Sequence, residues 1–114
     1  MKIAIPAADK VKTAEHFGRA GLFAVYDTEK SGYEYIDNEA NLNAAQGAGI
    51  QSATALINNG VGAVLSPRIG PKAFDVLKAA EIKMYILPAD AITIEGALDL
   101  YNKGRLEMFE SSKK

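Results

Sequence analysis

Residues 61–66 read VGAVLS, a six-residue run with no charge, stopped by Gly60 on one side and Pro67 on the other. A run this short and apolar on both alternating faces suits a strand covered from above and below, not a half-solvated one. Such a strand needs a layer on each side, so the remainder of the chain must supply helices for both faces of a sheet. The neighbouring sequence does so. In QGAGIQSATALINNG, residues Ile50, Ala53, Thr54 and Ile57 fall on one helical face, and Gly60 suits a C-terminal cap. After SPRIG, Pro71 opens a second helix at the position proline prefers, with Phe74, Leu77 and Ala80 as its apolar stripe. KMYIL, Lys83 to Leu87, is a further strand stopped by Pro88, and Ile94, Ala97, Leu98 and Tyr101 mark a last helix closed by Gly104.

Upstream the period is two. Lys2 to Pro6 is a short buried strand; LFAVYD (Leu22 to Asp27) and YEYID (Tyr33 to Asp37) flank the turn TEKSG, where Gly32 suits positive φ. The order β-β-β-α-β-α-β-α, with right-handed crossovers, predicts a five-stranded mixed sheet in order 3-2-1-4-5. Strand two alone is antiparallel and helices cover both faces, a ribonuclease-H-like three-layer α/β arrangement. Residues 1–114 are expected to form one domain with a loose tail over 108–114.

Thirteen basic and fourteen acidic residues leave a formal charge of −1, so no global field draws the chain to nucleic acid or a membrane surface. No cysteine is present, which excludes disulfides, zinc–thiolate sites and a cysteine cage for an iron–sulfur cluster. No stretch has the length of a membrane span, and the start of the chain lacks a signal-peptide core, so the cytoplasm is the expected location.

Ligands of open α/β sheets bind beyond the carboxyl ends of parallel strands. That edge gathers the loop TAEHFGRAGLF after strand one, QGAG at the first helix, SPRIGPK after strand four and LPAD after strand five. Its residue types favour an anion. Arg19 and Arg68 offer forked donors, Lys72 a mobile cation, and helix starts offer free backbone N–H groups. Gly47 and Gly49 allow close approach to the first helix, Gly18 and Gly70 lie in the converging loops, Gly70 with Pro71 first of all as a helix start, and His16, the single histidine, is a candidate metal ligand or protonated anion contact beside Phe17. Each also has a structural reading: a satisfied histidine, glycines that serve helix packing, a surface arginine. A nuclease would need carboxylates converging on metal ions, and Asp9, Asp27 and Asp37 are spread across strand ends instead.

EHFGRA, GAGIQSATALINNGVGAVL and RIGPKAFDVLKAAEIKMYI together resemble the dinitrogenase iron–molybdenum cofactor biosynthesis domain family, over Met1 to about Leu106. Gln46 stands where relatives often carry histidine or cysteine, and Ala14 where they carry serine. The resemblance implies a non-enzymatic protein that binds or carries an iron–molybdenum cofactor or an iron–sulfur precursor, with cluster donor and acceptor proteins as partners. It assigns His16 as metal ligand, with Phe17, Gly18, Arg19, Gly47, Gly49, Arg68, Gly70 and Lys72 lining the cofactor site. The alternatives are a small-anion regulatory module on the same edge and, more remotely, a metal-dependent nuclease.

Overall fold

A computed structural model of the chain describes residues 1–39, 48–88 and 93–112. Its strands are β1 (Lys2–Ala7), β2 (Leu22–Asp27), β3 (Gly32–Asp37), β4 (Val61–Ser66), β5 (Lys83–Ile86) and β6 (Glu107–Met108). Among the described residues the helices are α1 (Ala48–Asn58), α2 (Pro71–Ala79) and α3 (Ile94–Asn102), with a 3₁₀ turn at Phe17–Arg19. They form one mixed sheet in the order β3-β2-β1-β4-β5-β6. The five-strand order expected from the sequence is present, and a sixth strand extends it.

That strand corrects the expected tail. Glu107 and Met108 pair antiparallel with Ile86 and Tyr85, Phe109 N–H donates to Met84 O (3.0 Å), and the Phe109 side chain is buried in the core. A two-residue strand carries no periodicity, so only its neighbour reveals it. β2 is antiparallel to both β1 and β3, whereas β4 runs parallel to β1 and β5.

Two cores explain the apolar runs. On one face Ala4, Phe23, Val25 and Val64 meet Ala53 and Leu56 of α1 and Ala73, Phe74 and Leu77 of α2. On the other, Ile3, Ile5, Ala63 and Leu65 meet Ile94, Ala97 and Leu98 of α3. β1 and β4 therefore bury both sides, and this is why neither alternates. The α1 stripe is rotated from the expected one: Ser52, Ala53 and Leu56 are buried while Ile50 and Thr54 face solvent. In α2, Ala73 is buried and Ala80 exposed, because the helix leans its first turn onto α1. Gly60 ends α1 at φ +75°, as its position implied. In the β2–β3 turn it is Ser31, at φ 52°, that takes the left-handed conformation; Gly32 already pairs with Asp27 as part of β3. No described helix is long and apolar enough to cross a membrane.

The same turn titrates. The Asp27 carboxylate accepts the backbone N–H groups of Glu29 (2.9 Å) and Lys30 (3.4 Å). The Glu29 bond is the larger cause that holds its pKa below the usual carboxylate range, with the Met1 ammonium and Lys30 adding to it. A group whose pKa is lower folded than unfolded contributes stability above its unfolded pKa and loses it as pH falls through the folded one. Urea midpoints of the wild type should therefore drop as pH falls below about 4, and Asp27→Asn should flatten that drop. An unchanged slope in the variant would place the acid sensitivity elsewhere.

Candidate functional site

The loop between β1 and β2 is the longest described connection, and it is held by its backbone. Pairing of β1 with β4 is registered only over Lys2–Ala4. Beyond it the loop itself pairs with the end of β1 and with the segment after β4. Ala14 N–H donates to Pro6 O (2.8 Å), Thr13 bridges Ala7, and Phe17 N–H donates to Arg68 O (3.1 Å) beside a parallel bridge between His16 and Arg68. The Asp9 carboxylate accepts the N–H groups of Lys12 and Val11, both at 2.8 Å; these bonds keep its pKa low, Lys12 first. Asp9 thus shapes the loop.

The Phe17 side chain is the loop's anchor. It is 1% exposed and its ring lies 5.0 Å from that of Phe23, tilted by 51°. Sequence reasoning placed Phe17 among ligand contacts; the residue borders the pocket, but its ring is packed into the core. At the loop's end a buried polar relay makes a second fastening. Ser52 Oγ donates to Asn38 Oδ1 (2.9 Å), and Asn38 Nδ2 donates to Ala20 O (2.8 Å). Asn38 N–H adds a bond to Gly21 O (2.9 Å). Ser66 Oγ, fully buried, donates to Arg68 O (2.9 Å) and fixes the neighbouring loop. None of Asn38, Ser52 or Ser66 stands out in the sequence, where each looks like a turn or helix-surface residue.

Between these fastenings lies an open pocket of about 350 Å³. Seven expected residues border it: His16, Phe17, Gly18, Arg19, Gly49, Gly70 and Lys72, joined by Ala48, Pro71 and Ala73. Gly47 lies outside the described residues. The two glycines at its floor are there for contact between elements. A Cβ on Gly18 would sit 3.2 Å from Gly49 Cα, and a Cβ on Gly49 3.3 Å from Ala73 Cβ. Larger residues would push the loop, α1 and α2 apart.

The chemistry of the wall is one-sided. His16, Arg19 and Lys72 are exposed, and no aspartate or glutamate lines it among the described residues. Neither Arg19 nor Lys72 forms an ion pair among those residues. The N-terminus of α2 completes it: Gly70 is the N-cap and has no side chain, so the first-turn N–H groups lack a side-chain acceptor, and the first turn holds no acid. Arg68 stands beside this pocket without lining it; its Nε donates to Glu15 Oε1 (3.1 Å) on the surface. His16 has no second imidazole, thiolate or carboxylate pair nearby that would make a group of three metal-binding side chains among the described residues. The site therefore favours an anion held by charge and N–H donors, with one imidazole available for direct ligation. A larger open hollow of about 680 Å³ runs along β6, but its charged lining is Glu107 and Glu110, with no cation among its described residues.

The chain is similar to known proteins in sequence and fold. Residues 1–104 match the family model described as dinitrogenase iron–molybdenum cofactor. An uncharacterised protein of Methanocaldococcus jannaschii is 37% identical over 113 residues, covering 96% of this chain and 92% of its own. The apo form of the orange protein from Desulfovibrio gigas superposes with a TM-score of 0.92 at 34% identity, over 99% of this chain and 96% of that one. A NifB-like protein from Thermotoga gives a TM-score of 0.85 at 30% identity, over 99% and 97%.

Proposed function

The chain belongs to the dinitrogenase iron–molybdenum cofactor family, and from that premise we propose that it is a non-enzymatic carrier of a preassembled anionic metallocluster, an iron–molybdenum cofactor or an iron–sulfur precursor. The observation that carries this reading is the pocket wall: exposed Arg19, Lys72 and His16, an uncapped α2 N-terminus, and no carboxylate among the described residues. The likeness to an orange protein described in an apo form and to a NifB-like protein supports it. So does the family description.

The physical logic suits cargo. A preassembled cluster brings its own sulfides and net negative charge, so the protein need not supply a thiolate cage. Imidazole ligation by His16, charge from Arg19 and Lys72, and N–H donors at α2 hold it, while the open mouth permits transfer to an acceptor protein. Gly18 and Gly49 keep the floor close enough for backbone contact. Arg68 joins when an anion draws it from Glu15. The first five strands are read as a ribonuclease-H-like frame, which their order and the antiparallel β2 support. The carrier would work in the cytoplasm between donor and acceptor proteins.

Anaerobic titration with a preassembled iron–sulfur or iron–molybdenum cluster, read by visible absorption and gel filtration, tests the reading. Stoichiometric co-elution with the wild type is expected, weakened about tenfold or more in His16→Ala, the loss of one ligand bond. Absence of co-elution with the wild type removes the carrier reading. The second reading, a phosphate- or carboxylate-binding regulatory module, rests on the uncapped α2 N-terminus. Under it, inorganic phosphate binds and His16→Ala changes that affinity little.

A further inference from the structure

The pocket uses the α1/α2 face of the sheet. On the α3 face a different surface is left open. Three of the exposed large apolar residues, Val11 (63%), Tyr33 (36%) and Tyr35 (41%), line one groove of about 360 Å³ with Lys10 and Glu95 at its rim. The groove runs along β3, which ends the sheet; among the described residues no strand pairs with its outer edge. A row of free backbone donors and acceptors beside a tyrosine-lined groove is a surface built to be covered. With a net charge of −1, copies of this chain repel one another little.

We propose that the occupant is a second copy, added strand to strand through β3 about a twofold axis at Tyr35. Charge favours this register over the one centred on Glu34, and the tyrosine stacking and the Lys10 contact favour Tyr35 as its centre. Directly opposed residues of an antiparallel pair lie on the same face, so a symmetric pairing must place a residue opposite one an even number of positions away. Centring on Glu34 would set two glutamates against each other. Centring on Tyr35 opposes Tyr35 with the other copy's Tyr35, Glu34 with Ile36, and Tyr33 with Asp37. No like charges then meet directly.

The rest of the face agrees. Tyr33 and Tyr35 are already stacked, with ring centroids 6.3 Å apart and planes at 18°, and Tyr26 packs edge-on to Tyr33 at 5.1 Å. The tyrosine ladder continues across the axis without rearrangement. Lys10 Nζ sits 5.2 Å from the Tyr35 ring centroid. Asp37, exposed and diagonal to the opposing Tyr35, reaches the other copy's Lys10, which gives two equivalent ion pairs. The axis stands perpendicular to the sheet, so both anion pockets face the same side and stay open. This inference does not depend on what the pockets carry.

Sedimentation equilibrium from micromolar to millimolar protein decides it. The wild type should show a monomer–dimer equilibrium. Tyr35→Lys, which sets two ammonium groups on the axis, should be monomeric throughout while its thermal melt stays close to wild type. Asp37→Lys and Lys10→Asp should each weaken dimerisation by about tenfold, and the double swap should restore it. A wild type monomeric at every concentration overturns the proposal. So does a dimer indifferent to Tyr35→Lys, and a swap as weak as its parents overturns the register.

Discussion

Arg19→Glu with Lys72→Glu is expected to reduce cluster affinity by roughly 100-fold, the largest binding effect of any surface change in the protein. Hydrogen bonds to charged groups contribute about 1.5–3 kcal/mol each, so losing two would cost about 3–6 kcal/mol, or on the order of two to four decades in Kd. Both side chains are exposed, which brings the estimate to the lower end. The control is Lys30→Glu with Lys83→Glu. These lie in the β2–β3 turn and at the start of β5, at the opposite end of the sheet, and change net charge by the same amount. Titration of both double variants at two salt concentrations separates a local site from a global field. Equal weakening by the two pairs would rule out the pocket as the seat of affinity.

Phe17→Ala is expected to have the largest effect on stability, about 3–5 kcal/mol, lowering the melting temperature by roughly 12–20 °C. The ring is 1% exposed and packed on Phe23, so truncation leaves a cavity under the loop that carries His16 and Arg19. Phe17→Leu supplies the discriminating comparison. It refills most of the space, so stability should largely return and cluster affinity with it. If Phe17→Leu were as stable as wild type yet bound clusters as weakly as His16→Ala, the ring would be a ligand contact after all. Thermal melts and the anaerobic titration on the same samples read both quantities.

These two predictions divide along the line between what local sequence states and what folding adds. Arg19 and Lys72 were legible as residues of one pocket because strand ends can be located from period, and the loops that follow parallel strands share one edge. Gly18, Gly49 and Gly70 were legible for the same reason, although the close-contact role of Gly18 and Gly49 needed the approach of Gly18 to Gly49 and of Gly49 to Ala73, and Gly70 has open space around it. Phe17 sat between a histidine and a glycine in the most chemical-looking stretch of the chain, and nothing local marks which way its ring turns. Arg68 was expected inside the pocket; its carbonyl helps build the site while its guanidinium is held by Glu15 at the margin.

The alternation of strands and helices, the central place of Val61–Ser66, the glycine stop at Gly60 and the proline start at Pro71 are all written in the chain's local pattern. All of these depend on dihedral preference or on hydrophobic period, which are properties of neighbours in the chain. The same pattern also determined that cations, glycines and one histidine would meet at a single edge. β6, the burial of Phe109, the Ser52–Asn38–Ala20 relay and the inward turn of Phe17 came from folding alone. Each of these is settled by a partner distant in sequence. A two-residue strand exists because β5 offers it an edge, and a buried asparagine is tolerable only because a serine from another element and a loop carbonyl satisfy it.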